Sequence, residues 1–132
     1  MEQIIRLISD LEDMRHLMPA SAAQVQEAEQ ALGLRFAPDY AAYVQTYGAI
    51  SARGIELTGV TRHQRLSVAA VTQQERALNP LLPRHMYVIE NIGIDGLLAL
   101  QEESGRVYTI APNQPPQPLC GSLSDYVTRS GF

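Results

Sequence analysis

The side chains of this sequence that could do chemistry are three histidines, a single cysteine and a set of carboxylates. His16, His63 and His85 are far apart, and none has a second ligand at the i+4 spacing that places two side chains on one helix face. Cys120 has no nucleophile motif around it, which favours a structural thiol. The serines lack the spacings of known nucleophile motifs, and no glycine-rich phosphate loop is present. We therefore predict no enzyme activity, no metal site and no cofactor.

Five acidic residues are the candidates for binding a partner. Asp95, Glu102 and Glu103 lie in predicted turns between strands, while Glu90 ends a predicted strand and Glu56 belongs to an earlier short strand. A solvated turn carries acids for solubility alone, so a binding role and a plain solvated surface are both open. The D-x-D spacing of a calcium loop is absent. If these acids bind a partner, we expect the contact on the exposed face of the strands and their turns.

Composition limits the class of partner and compartment. The 132 residues carry a net charge of −4, and all ten basic residues are arginines with no basic cluster. Such a chain is a poor nucleic-acid binder, so a charged partner would be basic. A lone cysteine excludes an internal disulfide and fits a reducing compartment. No apolar run is long enough to span a bilayer, and the first residues do not form a secretory signal. We predict a cytoplasmic protein with no membrane partner, and we leave self-association open.

A stripe of tyrosines marks the centre of the first half of the chain. Tyr40, Tyr43, Val44 and Tyr47 follow one another at i, i+3, i+4 and i+7, which is the period of one helix face. A tyrosine has an apolar body and a polar tip, so the stripe could line a ligand groove. Core packing is favoured, because any buried helix face has this spacing.

Local signals set the boundaries of two helices around this stripe. Ser21 with Gln24 is a capping-box pattern that begins one helix, and Gly33 ends it. Pro38 suits the first turn of the next helix, where its missing N–H is not needed, and Gly48 ends that helix. An apolar stripe before them predicts an amphipathic first helix and an entirely helical first third: Ile4, Leu7, Ile8, Leu11, with Met14 and Met18 extending it.

The remaining elements change in character from helices to short strands. In order, we predict a strand at 55–57, a helix at 68–78 capped by Ser67 or Thr72, strands at 86–90, 97–100 and 106–111, a proline-rich extended loop or edge at 113–118 that is not part of the ladder, and a helix from Ser122 to Gly131. The helix at 68–78 should bury the face that carries Val68, Val71, Glu75 and Leu78. Helices followed by strands indicate an α+β fold, with N-terminal helices on one side of an antiparallel β-meander and a short C-terminal helix. We predict a single domain over residues 1–132.

The segment 32–48, LGLRFAPDYAAYVQTYG, resembles the signature of the SUKH superfamily. The matching residues are Leu32, Gly33, Pro38, Asp39, Tyr40, Tyr43, Tyr47 and Gly48. Later segments resemble the family in the same order, namely ELTG at 56–59, YVIENIGIDG at 87–96 and SLSDYV at 122–127. The resemblance therefore extends over nearly the whole chain.

This resemblance implies a function without catalytic residues. Many bacterial members are immunity proteins, which bind and neutralise a toxin domain, often a nuclease or deaminase. Other relatives are regulatory modules or scaffolds that bind an endogenous protein, and this is the alternative function. A third possibility, from the residues alone, is a small-molecule binder or enzyme with a tyrosine-lined pocket.

Overall fold

A computed structural model of the protein describes residues 2–129. Within that range the chain forms five α-helices, one 3-10 turn and seven strands. The helices are α1 (Glu2–Ser9), α2 (Ala22–Leu32), α3 (Pro38–Tyr47), α4 (Val68–Leu78) and α5 (Leu123–Thr128), and the 3-10 turn is Gln64–Leu66. The strands are β1 (Arg15–His16), β2 (Ile50–Ala52), β3 (Ile55–Glu56), β4 (Tyr87–Asn91), β5 (Leu98–Gln101), β6 (Val107–Ile110) and β7 (Gln117–Cys120).

The first third of the chain is not entirely helical, so that prediction is wrong. Helix α1 ends at Ser9, and Asp13 adopts a positive φ of 57° that turns the chain into β1. Strand β1 then pairs antiparallel with β2, where Arg15 lies opposite Ser51. Met18, which was predicted to extend the apolar stripe, is 85% exposed. A two-residue strand has no detectable period, and its partner lies far away in sequence.

Helices α2 and α3 begin and end where their local signals predict. Both hydrogen bonds of the capping box between Ser21 and Gln24 are formed. Gly33 ends α2 in the left-handed region at φ 68°, Pro38 is the first residue of α3, and Gly48 ends α3 at φ 73°. The local chemistry of caps is sufficient here because each signal acts within one turn of its own helix.

The later strands form the predicted antiparallel meander, in the order β4-β5-β6-β7. The segment 113–118 ends at the edge of the sheet, which is one of its two predicted alternatives, but its last two residues do belong to the ladder. Gln117 and Pro118 pair with Thr109 and Tyr108, in the outer strand β7. An edge strand tolerates proline because one of its two sides needs no N–H donor.

One face of the meander packs against most of the helices, which confirms the predicted α+β arrangement. Helices α1, α2, α3 and α5 share a core cluster with Tyr87, Ile89, Ala99 and Val107 of the sheet. The opposite face has its own buried cluster: Leu82, Met86, Val88, Leu98, Leu100 and Ile110. Both faces of β4 and β5 are therefore covered, and the expectation of an exposed meander face is wrong for these two strands.

Helix α4 has the predicted bounds but a different buried face. Ser67 caps it by accepting a hydrogen bond from the Ala70 N–H. Its buried residues are Val68 and Thr72, whereas Leu78 is 68% exposed. The Thr72 hydroxyl accepts a hydrogen bond of 3.0 Å from the Val88 N–H, so α4 docks against the edge of β4 through a polar contact. Apolar periodicity cannot detect a face that is buried in this way.

The C-terminal helix α5 begins as predicted. Ser122 caps it by accepting from the Asp125 N–H, and Leu123, Tyr126 and Val127 are buried in the main core. Its predicted end at Gly131 lies outside the described residues. No helix among the described residues is long and apolar enough to cross a bilayer.

Candidate protein-binding site

The predicted partner-binding acids do not form one patch. Glu102 and Glu103 lie in the turn between β5 and β6, whereas Asp95 lies in the turn between β4 and β5. These turns are at opposite ends of β5, a strand of four residues and hence about 13 Å in length. Glu56 belongs to β3 and lies beside the end of β4, where its N–H contacts Glu90. The acids therefore divide between two ends of the sheet.

Glu90 is not a surface residue, and its assignment to an exposed contact surface is wrong. It is 6% exposed. One carboxylate oxygen, Oε2, accepts a 2.7 Å hydrogen bond from the Glu56 N–H, and Oε1 accepts from the Tyr126 hydroxyl. Burial raises the pKa of Glu90 above its usual value, the charge of Glu56 adds to this, and the two donors oppose it. Glu90 therefore joins β3, β4 and α5 inside the protein.

The Glu56 carboxylate is half-buried and already has a partner in the same chain. Arg65 forms a two-point ion pair with it, at Nη1–Oε1 2.5 Å and Nη2–Oε2 3.0 Å. The guanidinium is exposed, so this pair contributes little to folding. Its effect is to reduce the net negative charge at this end of the sheet.

Glu102 and Glu103 line a large groove, which runs between the α2–α3 corner (residues 33–37) and the β5–β6 turn. It consists of two adjoining hollows of about 1050 and 500 Å³. The hollows share Gly33, Leu34, Arg35 and Glu103. The structure thus brings two acids predicted to bind a partner next to the corner that carries the family-like signature.

The charge of this groove is negative. Glu29 and Glu103 line the larger hollow, and Glu102 and Glu103 line the smaller. Among the described lining residues Arg35 carries the one guanidinium, and His85 lines the smaller hollow. Three carboxylates therefore face one guanidinium. A groove of this kind attracts basic segments of a partner.

Hydrogen bonds hold the acidic side chains and the corner in place. The Phe36 N–H donates to Glu29 Oε2 at 2.9 Å, which fixes that carboxylate against the corner. Glu102 lies beside Tyr108 and raises the pKa of its phenol, whereas Glu103 is exposed. The groove therefore combines positioned acids with a free one.

Arg76 supports the α2–α3 corner by hydrogen bonds to backbone carbonyls, a role that no sequence pattern predicts. Its Nη2 donates to the Leu32 carbonyl at 3.0 Å and to the Arg84 carbonyl at 2.7 Å. Leu32 is the last residue of α2, so the cation satisfies a carbonyl at the negative end of the helix dipole. Burial and the neighbouring Arg84 lower the pKa of Arg76. Its position in the last turn of α4 gives no sequence signal of a contact with α2.

The signature residue Asp39 makes contacts that hold the fold together. Asp39 Oδ1 accepts from Gln101 Nε2 at 3.1 Å, and Oδ2 accepts from the Leu123 N–H at 2.9 Å. This one side chain therefore joins α3, β5 and the first turn of α5. Gln101 is fully buried, and its Oε1 accepts from the Tyr87 hydroxyl.

The tyrosine stripe fills the core, as the favoured interpretation predicts. Tyr40 and Tyr43 are fully buried, and Tyr47 is 9% exposed. The phenols of Tyr40 and Tyr43 contact the Thr58 hydroxyl and carbonyl at 2.9 and 2.8 Å. Burial raises the pKa of both phenols above the usual value. The stripe does not line a groove, so the alternative of a tyrosine-lined ligand pocket is wrong.

The histidines and the cysteine are not grouped. Among residues 2–129, no three His, Cys, Asp or Glu side chains lie together in an arrangement that could hold a metal ion. Cys120 is half-buried, its thiol donates to the Ser122 carbonyl at 3.6 Å, and burial raises its pKa. A raised pKa keeps the thiol protonated and poorly nucleophilic.

Comparison with known families agrees with this architecture. The family model described as SMI1-KNR4 cell-wall, a SUKH model, matches residues 1–128. No curated protein sequence shows significant similarity to the chain. The family match includes the α2–α3 corner, the meander and α5. The chain therefore belongs to the SMI1-KNR4 (SUKH) family.

Proposed function

We propose that this chain, as a single domain over residues 1–132, is a non-enzymatic immunity protein that acts in the bacterial cytoplasm. It binds and neutralises a toxin domain, such as a nuclease or deaminase. The observation that carries this proposal is the acidic groove, defined as the two hollows between the α2–α3 corner and the β5–β6 turn. Glu29, Glu102 and Glu103 face a single guanidinium there, that of Arg35.

The chemistry of such toxins explains why an acidic groove is useful. A toxin that acts on nucleic acid needs a basic surface to bind phosphates. Carboxylates that are already positioned compete for the same cations, and they increase the rate and specificity of encounter more than the affinity itself. Glu29 is held by its hydrogen bond to Phe36, so part of the groove is ordered before the partner arrives. Glu56 and Asp95 belong to the other end of the sheet, and we propose them as peripheral contacts.

Growth of cells that express a toxin tests this proposal. The chain is co-expressed with the toxin domain encoded beside its gene, and growth is compared with that of cells expressing the toxin alone. We expect full rescue by the wild type and loss of rescue by the Glu102→Arg/Glu103→Arg variant. The matched control is Asp10→Arg/Glu27→Arg, which reverses two exposed charges outside the groove. No rescue by the wild type refutes the immunity function, and equal rescue by both variants refutes the role of the groove.

The alternative is a regulatory module or scaffold for an endogenous protein. The words "cell-wall" in the family description favour it. In that case affinity purification from unstressed cells recovers a stable partner that is not a toxin. The same charge reversal should release that partner, because the groove would serve it in the same way.

A further inference from the structure

Three exposed apolar side chains lie at the end of the sheet opposite the acidic groove. Leu78 ends α4, Leu81 follows it, and Ile94 lies in the β4–β5 turn, with exposed fractions of 68%, 47% and 61%. Single exposed apolar residues are ordinary, but a group around a concave site marks a contact surface. Met18 is more exposed than these residues, at 85%, but lies elsewhere, in the segment after β1.

One of these residues, Leu78, lines a hollow of about 240 Å³. Leu81 and Ile94 each lie two positions along the chain from a lining residue, Asn79 and Gly96 respectively. The hollow lies between the end of α4, the β4–β5 turn and the segment after β6. Its apolar lining residues are Leu78, Leu98, Ile110 and Pro112, and Asn79, Asn91 and Asn113 add polar groups. The one charged residue among its described lining residues is Glu75. No ion pair or side-chain hydrogen bond among the described residues involves the Glu75 carboxylate. The hollow is thus large enough for one apolar side chain, with a free acid at its edge.

Two hydrogen bonds and a close packing contact support the turn that carries Ile94. Asn91 Oδ1 accepts from the Gly93 N–H at 3.0 Å, and the Ile94 carbonyl accepts from the Leu97 N–H at 2.9 Å. Gly96 packs so closely that an added Cβ would lie 2.9 Å from Pro112 Cγ. An apolar side chain presented on an ordered turn loses little entropy on binding.

We propose that this hollow is a second protein-contact site, which takes an apolar side chain of a partner segment with a basic residue next to it. The four apolar lining residues fit the anchor. Charge complementarity selects the neighbour, since Glu75 lies at the edge and Asp95 lies between Ile94 and Gly96 of the turn. An acidic neighbour would be repelled by both carboxylates. The site is separate from the acidic groove and needs only a protein partner, so it does not depend on that partner being a toxin.

A second copy of this chain is a poor occupant. A two-fold dimer brings the same surface of both subunits together. Glu75 and Asp95 of one copy would then approach the same acids of the other, with no cation among the described lining residues to separate them. The charges that attract a basic segment therefore oppose self-association through this surface.

A peptide titration of the isotopically labelled protein tests the proposal by amide chemical shifts. Three short synthetic peptides of equal length serve as probes: one leucine flanked by arginines, the same leucine flanked by glutamates, and an alanine flanked by arginines. We expect the first to bind about tenfold more tightly than either of the others. Its shifts should be largest at Leu78, Ile94 and Gly96. Equal binding of all three peptides, or shifts centred elsewhere, overturns the proposal.

Variants then distinguish binding at this site from non-specific binding elsewhere on the surface. Leu78→Ser and Ile94→Ser should each abolish binding of the leucine–arginine peptide, while Met18→Ser, the matched exposed control, should retain it. Glu75→Gln should reduce the preference for arginine over glutamate flanks. All these side chains are largely exposed or at the edge of the hollow, so unfolding curves should be unchanged. Shifts at Ile94 that depend on protein concentration without peptide would instead make a second copy the occupant and overturn the proposal.

Discussion

Two signature glycines with positive φ serve different purposes. Gly33 and Gly48 have φ values of 68° and 73°, which cost other residues energy. A Cβ at Gly33 would meet nothing within 4 Å, whereas one at Gly48 would overlap the Met18 carbonyl oxygen. Gly33 is therefore needed for its dihedral angle alone, and Gly48 also for the close approach of the segment before α2.

We expect Gly33→Ala to lower the free energy of unfolding by about 1 kcal/mol, which is the cost of a left-handed alanine. Gly48→Ala should cost about 3 kcal/mol or more, because backbone must move to admit the methyl group. Urea unfolding of both variants measures the difference. Equal losses of unfolding free energy would show that the close approach of backbone to Gly48 does not add to the cost of the substitution.

Asp39 is the signature residue with the widest set of contacts, since it joins α3 to Gln101 and to the first turn of α5. Asp39→Ala should lower the free energy of unfolding by about 2 to 3 kcal/mol, because hydrogen bonds to a carboxylate are lost and their donors stay partly buried. Asp39→Asn should lose less, since its remaining oxygen keeps one acceptor. Asp10→Ala, at an exposed aspartate, should change stability by no more than about 0.5 kcal/mol. If Asp39→Ala also lowered the free energy of unfolding by no more than about 0.5 kcal/mol, the hydrogen bonds of Asp39 to Gln101 and α5 would not stabilise the fold as stated.

At the scale of elements, the contact between β4 and α5 depends on a buried acid. Glu90 accepts from the Glu56 N–H and the Tyr126 hydroxyl, and burial raises its pKa. A carboxyl whose pKa is raised by folding binds its proton more tightly in the native state. Its contribution to stability is therefore full below the pKa of the unfolded chain and is lost as the pH rises through the folded pKa.

The stability of the wild type relative to Glu90→Gln should accordingly increase as the pH falls from 8 towards about 4.5. The amide cannot ionise, and it can still accept from the Glu56 N–H while donating to the Tyr126 oxygen. Urea unfolding at a series of pH values measures this difference, with Glu27→Gln as an exposed control whose curve should run parallel to the wild type. A difference that shrinks as the pH falls would contradict the raised pKa.

The elements also show what could be predicted from sequence and why. Helices α2 and α5 begin at their predicted caps, because capping acts between residues three apart. Helix α3 begins at Pro38, whose fixed φ suits the first turn. Strand β1 was missed because its two residues pair only through the distant β2. The apolar residues of β4 and β5 run continuously and do not alternate, which indicates that both faces of these strands are buried. Such runs are typical of strands covered on both sides.

The candidate site was predictable only in part. Glu102 and Glu103 could be assigned to a turn, but their position beside Gly33 and Arg35 depends on how α2 packs near the end of β5. Glu90 looked like another surface acid because it ends a strand, and only the approach of Tyr126 shows that it is buried. Sequence patterns report local exposure poorly for a polar residue whose partner lies 36 positions away.

At the scale of the whole molecule, the two proposed contact surfaces lie at opposite ends of the meander. One is acidic and polar, and the other is apolar with an acidic edge. Electrostatic attraction weakens as salt is added, whereas burial of an apolar side chain is much less sensitive to it. The two surfaces should therefore respond differently to ionic strength.

Association with a basic toxin should be faster at low salt if the acidic groove meets the partner first. Raising the salt concentration should slow association of the wild type several-fold and leave Glu102→Arg/Glu103→Arg, already slow, nearly unchanged. Stopped-flow or surface-based kinetics measures both rates. If the association rates of the two proteins depended on salt in the same way, the groove would have no part in the encounter with the partner.

The central claim, that the chain neutralises a toxin by binding it, is tested most directly by titration of toxin activity. The purified toxin domain encoded beside the gene is assayed on its own substrate while the wild-type chain is added. We predict that activity falls to the background at about one chain per toxin, and that Glu102→Arg/Glu103→Arg requires about tenfold more protein. Full toxin activity in the presence of excess folded wild-type chain would contradict the account.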